Sequence, residues 1–227
     1  MNRIKNVLQR FPALYLNLLK IKRRNHWSKE WIVTKESDIT IEGYQRSANS
    51  YFLDAFQVLQ NRKLKIATHV HAPSQIQVSV RLGVPTVVMI RHPLDATKSL
   101  KALECQCNPN KMEQLLEIPL HRYLKNYTLF YQNIAPIKNR FVIAHFKEVV
   151  ETIQPTIDRT NAMFGTEFVS RDLTKEEKEK VFETGGTHLS PNVDRDKIKA
   201  TIALEAESHE TQEALSRAVE IYHSFAD

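Results

Sequence analysis

Four short apolar runs, separated by stretches of helical periodicity, restrict this chain more than any other feature does. Asp38–Glu42 is a β-branched run ending at Gly43, and Asn49–Gln60 after it repeats its apolar residues at helical spacing. Leu64–Val70 precedes a helix over Pro73–Leu82. Thr86–Ile90, bounded by Pro85 and Pro93, precedes a helix that starts at Pro93 and runs to about Leu103. A long amphipathic helix over Met112–Asn133 leads to the fourth run, Phe141–Phe146. Strands separated by helices pair in parallel through right-handed crossovers. The expected fold is therefore α/β: a parallel β-sheet flanked by helices, doubly wound around a P-loop-like turn, with helical N- and C-terminal additions. The C-terminal part reads as helices over Glu148–Phe164, Lys175–Phe182 and Asp196–Phe225, with a polar loop at Thr184–Asp194.

A chain of 227 residues suits one α/β domain, read as residues 31–227, preceded by an arm at 1–30. The formal charge of +6 belongs to the arm. Residues 1–30 hold eight Lys/Arg and one Glu, and the rest hold 24 Lys/Arg against 25 Asp/Glu. A near-neutral body argues against nucleic acid and against a strongly anionic polysaccharide as partner. Within residues 1–24, Ile4, Val7, Leu8, Phe11, Leu14, Tyr15, Leu18 and Ile21 recur at helical spacing, interrupted near Pro12. Lys20, Lys22, Arg23 and Arg24 close the segment. Such a helix either packs on its own domain or a partner subunit, or lies on an anionic membrane surface. Packing is the expected state, with Leu8, Phe11, Leu14 and Leu18 inside, because Trp27 and Trp31 follow at once. Cys105 and Cys107 are too close for an ordinary disulfide and have no second pair for zinc, which suits reduced thiols in a cytoplasmic protein. No run reaches the roughly 18–20 apolar residues of a membrane-spanning helix, and none reads as a signal peptide.

Three segments carry chemistry. Gly43-Tyr-Gln-Arg-Ser-Ala-Asn-Ser50 lies between a strand and a helix, where a G-x-x-x-x-G-K-[ST] loop cradles phosphate with backbone N–H groups and a helix N-terminus. Gly43 and Ser50 hold the outer positions, Ala48 replaces the second glycine, and Asn49 replaces the lysine that a nucleotide triphosphatase keeps on its phosphates. No strand-end acid is read as a magnesium ligand, since Thr86–Ile90 runs into Arg91. Arg91 and Ser99 follow that strand eight residues apart, at the strand end where doubly wound sheets bind ligands. They are able to grip a phosphate. Arg91 equally suits an ion pair with Asp95, and Ser99 a tight helix contact. Thr68-His69-Val70-His71 ends the second strand, and alternation would set both histidines on one face. Either suits a general base or a structural hydrogen bond, and a metal pair would lack a third ligand of sensible spacing.

Taken together, these segments resemble the PAPS-dependent sulfotransferase family. Arg46-Ser-Ala-Asn-Ser-Tyr51 is similar to that family's Lys-Ser-Gly-Thr-Thr-Trp loop, and Thr68-His69 to its Lys-Thr-His strand end. Arg91 with Ser99 is similar to its Arg-x7-Ser segment, 22 residues after His69. Phe141-Val-Ile-Ala-His-Phe-Lys-Glu148 resembles the strand and Tyr-Glu-Asp-Leu stretch that follows, and the likeness spans about residues 37–165. It implies in-line, metal-independent transfer of a sulfuryl group from 3′-phosphoadenosine 5′-phosphosulfate (PAPS) to a hydroxyl or amine of a small-molecule or glycan acceptor. The phosphosulfate would lie on the backbone of Arg46, Ser47, Ala48, Asn49, Ser50 and Tyr51, with the Ser47 and Ser50 hydroxyls on the 5′-phosphate. Arg46 would face the departing oxygen, Arg91 and Ser99 the 3′-phosphate, and His69 would act as base. His71 would position the acceptor or be the base itself. The chain departs from the family at Ala67 and Arg46, where lysines are usual, and it has no glycine-rich basic loop. Thr187–Lys199 is the expected substitute, with Ser190, Arg195 and Lys197 reaching the 3′-phosphate. Arg195 itself reads first as a solvated helix start between Asp194 and Asp196. A small-molecule P-loop kinase and a non-catalytic nucleotide-binding or interaction protein are the other classes the residues allow.

Overall fold

All four apolar runs form strands, and every pairing is parallel. In a computed structural model that describes residues 11–189 and 193–226, β1 (Ile39–Gly43), β2 (Ile66–Thr68), β3 (Thr86–Ile90) and β4 (Val142–His145) make one sheet in the order β2-β1-β3-β4. Ile41 pairs with Thr68 on one side of β1, and Gly43 pairs with Met89 on the other. β1 and β3 are buried throughout, which is why their sequences run apolar without a polar face. Val87 and Met89 join Ile39, Ile41, Phe52, Phe56 and Ile157 on one side of the sheet. Val88 and Ile90, of the opposite strand parity, join Ile76, Leu124, Tyr127 and Tyr131 on the other.

The chain leaves β1 towards β2 and leaves β3 in the opposite direction towards β4. The turns after β1 and β3 therefore diverge, and the crevice between them at the carboxyl edge is where such sheets take ligands.

The helices are α1 (Pro12–Lys22), α2 (Asn49–Leu59), α3 (Pro73–Leu82), α4 (Pro93–Cys107), α5 (Met112–Leu116), α6 (Leu120–Gln132), α7 (Phe146–Glu151), α8 (Gln154–Phe164), α9 (Lys175–Leu189), α10 (Val193–Ala203) and α11 (His209–Ala226). Proline opens α1, α3 and α4, where its missing N–H would have no partner anyway. Gly83 closes α3 at φ 72.

Several expected helices are cut or extended. Met112–Asn133 is two helices, because Pro119 excludes Ile118 from helical backbone and caps α6 instead. Glu148–Phe164 breaks at Thr152, which is extended, and Pro155 opens α8. The expected loop at Thr184–Asp194 is helical as far as Leu189. Tertiary contact outweighs the glycines' weak propensity there, since α9 lies along α2 with Val181 in the sheet core. The final helix divides into α10, a 3₁₀ turn at Leu204–Glu207 and α11. Glu205 in that turn accepts from the fully buried Lys101 and from the Leu120 N–H at 3.0 Å, and Phe225 stacks on Phe141. The C-terminal helices are thereby built into the same core as α4 and α6.

α1 packs on α3, with Leu16 buried beside Val33, Ala72 and Val84. Phe11, Leu14 and Leu18, expected inside, are exposed instead, and Leu8 lies outside the described residues. A helix against a single neighbour buries one stripe, and Leu16 rather than Leu14 faces it. Among the described residues no helix is long and apolar enough to cross a membrane.

Candidate functional site

The turn after β1 is held from beneath by two tyrosines. A Cβ at Gly43 would stand 2.4 Å from the Met89 carbonyl oxygen, so only glycine lets β1 end this close to β3. Tyr131 donates to that same carbonyl at 2.8 Å and accepts from the Tyr44 N–H at 3.3 Å, while Tyr44 donates to the Tyr123 carbonyl at 3.2 Å. Arg46 and Ala48 then adopt left-handed backbone, φ 66 and 73, and Ala48 caps α2. Ala48 stands where a phosphate loop has its second glycine. It meets the same backbone requirement at a cost of about 1–2 kcal/mol for a residue with a Cβ. Turns of this kind gather N–H groups into an anion-binding concavity. Asn49, in the place of the missing lysine, donates back to the Tyr44 carbonyl at 2.9 Å and braces the turn. Tyr51 is already core, its ring 5.8 Å from Phe182, so only its backbone belongs to the loop.

Arginines converge on this turn. Arg46 Nε donates to Ser99 Oγ at 3.0 Å, and Arg91 Nη1 donates to the Arg46 carbonyl at 3.0 Å. Arg91 is fixed further by Tyr127, which donates to its carbonyl at 2.7 Å, and by the Phe146 ring 4.0 Å beneath its guanidinium. Asp95 acts on Arg91 only through its charge. Arg195 is 4% exposed and donates to Gln106 Oε1 at 2.9 Å, which corrects the reading of it as a solvated helix start. Burial, then the charges of Arg195 and Arg91, hold Arg46 down to about 10, so it remains cationic at neutral pH. Ser190 lies outside the described residues. Hydrogen bonds thus join Arg46, Arg91 and Ser99, and the charge of Arg195 acts on Arg46, where the sequence had divided Arg46 from the other three.

Of the four buried side-chain polar atoms without hydrogen bonds among the described residues, Gln77 Oε1 on α3 lies elsewhere and three lie here. Arg91 Nε is one, Asn49 Oδ1 another. Ser47 Oγ, beside the Tyr131 hydroxyl but outside hydrogen-bonding geometry, is a third. Native folds leave few such atoms, so their clustering at a crevice calls for a partner.

The histidines arrive differently from the strand alternation expected of them. β2 stops at Thr68, and His69 and His71 both turn left-handed, φ 54 and 49. The cause is Glu42, a fully buried acid the sequence reading passed over. Its carboxyl accepts from the N–H groups of Val70 at 2.7 Å, His71 at 3.2 Å and Gly43 at 3.4 Å. Its signal in the sequence was a lone acid within an otherwise buried strand, directly before a glycine. Burial raises the Glu42 carboxyl to about 8, outweighing the three N–H donors that lower it. The two imidazoles still meet, 5.6 Å between centroids. His71 Nδ1 donates to the Gly43 carbonyl at 3.0 Å. A carbonyl only accepts, so the neutral ring carries its lone pair on Nε2. His69 hydrogen-bonds Thr68 Oγ1 through Nδ1 at 3.0 Å and Ser50 Oγ through Nε2 at 3.1 Å, with the Trp31 ring at 4.8 Å. Ala67 is buried beneath α1 with Ile32 and Val33. Among the described residues no three His, Cys, Asp or Glu side chains gather in metal-binding geometry.

Every non-glycine residue of positive φ among those described is Arg46, Ala48, His69 or His71. Backbone strain of this kind concentrates at functional sites. Fold and site together define an α/β protein whose parallel sheet carries buried arginines, flanked by two histidines, at its topological switch point. No family model, no curated protein and no solved structure matches the chain.

Proposed function

We propose that this protein transfers a sulfuryl group from PAPS to a hydroxyl or amine of its acceptor. One observation carries the reading: Arg46, Arg91, Arg195 and Ser99 cluster at the switch-point crevice, where Arg91 Nε and Ser47 Oγ are buried without hydrogen bonds. An anion with oxygens on more than one side suits that set better than a single carboxylate does. Asn49, bent back onto the turn, leaves the loop without the lysine of a nucleoside-triphosphate site.

Within this reading the turn at residues 46–50 and the N-terminus of α2 hold the 5′-phosphosulfate, and Arg91 and Arg195 hold the 3′-phosphate. Ser99, bonded to Arg46, links the two subsites. The acceptor's lone pair forms a bond to sulfur as the bond from sulfur to the 5′-phosphate oxygen breaks. That electron pair stays on the phosphate, leaving 3′,5′-adenosine bisphosphate. Arg46 offsets the charge that develops on the departing oxygen. His69, adjoining Ser50 of the loop, takes the acceptor's proton, and His71 positions the acceptor.

Calorimetry tests the donor site. The chain should bind 3′,5′-adenosine bisphosphate in the presence of a chelator, far more tightly than 5′-AMP. Arg91→Ala should weaken the bisphosphate by more than about tenfold, since one charge-assisted hydrogen bond contributes about 1.5–3 kcal/mol, and should leave 5′-AMP nearly unchanged. Preference for magnesium–ATP over the bisphosphate would overturn the reading in favour of a kinase.

A further inference from the structure

α1 is apolar on two faces, and the domain covers only one. Leu16 is buried beneath it, with Tyr15 and Leu19 partly buried alongside. On the other side Phe11, Leu14, Leu18 and Ile21 stand 61%, 49%, 43% and 65% exposed. Their spacing of three, four and three residues aligns them along one line of the helix. The same segment is the basic part of the chain: residues 1–30 carry eight Lys/Arg less one Glu, a net of +7, and residues 31–227 a net of 24 less 25, or −1. Lys22 and Arg24 are exposed at the C-terminal end of the stripe.

We propose that α1 lies in the plane of an anionic membrane surface, with the outward stripe at the acyl boundary and the basic residues against the headgroups. Charge selects this occupant. A second copy would bring one net-basic helix against another, whereas anionic lipid neutralises it. The stripe is also confined to four side chains, against the roughly 20–30 residues that each partner of a stable protein pair contributes. The inference goes beyond the proposed transfer reaction and does not depend on it.

Sedimentation of the full chain with vesicles tests it. The chain should pellet with mixed phosphatidylcholine–phosphatidylserine vesicles, weakly with phosphatidylcholine alone, and less as salt rises. Leu14→Glu with Leu18→Glu should lower partitioning by more than about a hundredfold, with the melting temperature unchanged because both side chains are exposed. Lys22→Ala with Arg24→Ala, equally exposed, should lower it about thirtyfold and serves if the first pair impairs folding. Wild-type chain that ignores phosphatidylserine, or a charge pair without effect, would overturn the proposal. So would a solution dimer that Leu14→Glu with Leu18→Glu dissociates, since the stripe would then join two copies.

Discussion

His69 and His71 show how little separates two candidate bases. Each has one ring nitrogen anchored, His69 to the Thr68 hydroxyl and His71 to the Gly43 carbonyl. His69 also meets Ser50 within the turn, and in the proposed reaction that contact sets it beside the sulfur. His69→Ala should lower the transfer rate by about 10²–10⁴-fold with bisphosphate affinity nearly unchanged, while His71→Ala should act mainly on acceptor KM. Steady-state kinetics paired with calorimetry on both variants checks this. A fully active His69→Ala with an inactive His71→Ala would move the base to His71. The sequence presented both residues at the right end of the right strand. It did not show that left-handed backbone, rather than strand alternation, brings them together.

At the scale of elements, α1 and the two cut helices share a lesson. Periodicity located the arm's helix but not the face that meets the domain, because Phe11, Leu14 and Leu18 are as apolar as Leu16. Complementarity with the recess formed by Ile32, Val33, Ala72 and Val84 makes that choice. Leu16→Ala should destabilise the fold by about 2–5 kcal/mol. Leu14→Ala should stay within about 0.5 kcal/mol, as for exposed sites generally. Thermal or denaturant melts of the two variants decide between this orientation and its reverse. Pro119 and Pro155, by contrast, were legible: each stands at the start of a helix that periodicity alone had fused to its neighbour.

For the whole molecule, Glu42 ties stability to pH. The folded state holds its carboxyl near 8 against an ordinary value of 4.5, so the native protein binds this proton more tightly than the unfolded chain does. The stability that follows is fully present below about pH 4.5 and is lost as pH rises through about 8. The effect is on the order of a few kcal/mol. Melting temperature should therefore fall between about pH 4.5 and 8, and Glu42→Gln should flatten that part of the profile whatever its effect on absolute stability. A profile equally steep in the variant would assign the loss to other groups. The same carboxyl shapes the backbone of both histidines, so the pH range that loosens it should also disturb the site.

The sequence by itself determined the α/β class of this protein and set its candidate residues at strand ends. Strand and helix periods are local, and strand order along an α/β chain decides where turns diverge. Gly43, Arg46, His69 and Arg91 were therefore legible at the carboxyl ends of their strands. Tertiary structure decided what those residues do to one another. It buried Arg195 beside the cluster, joined Arg46 to Ser99, turned Asn49 back onto its own loop and placed Glu42 beneath β2. It also turned the apolar stripe of α1 outward. These are contacts between segments distant in the chain, or choices between apolar faces of equal hydropathy, and no local pattern of residue types encodes either.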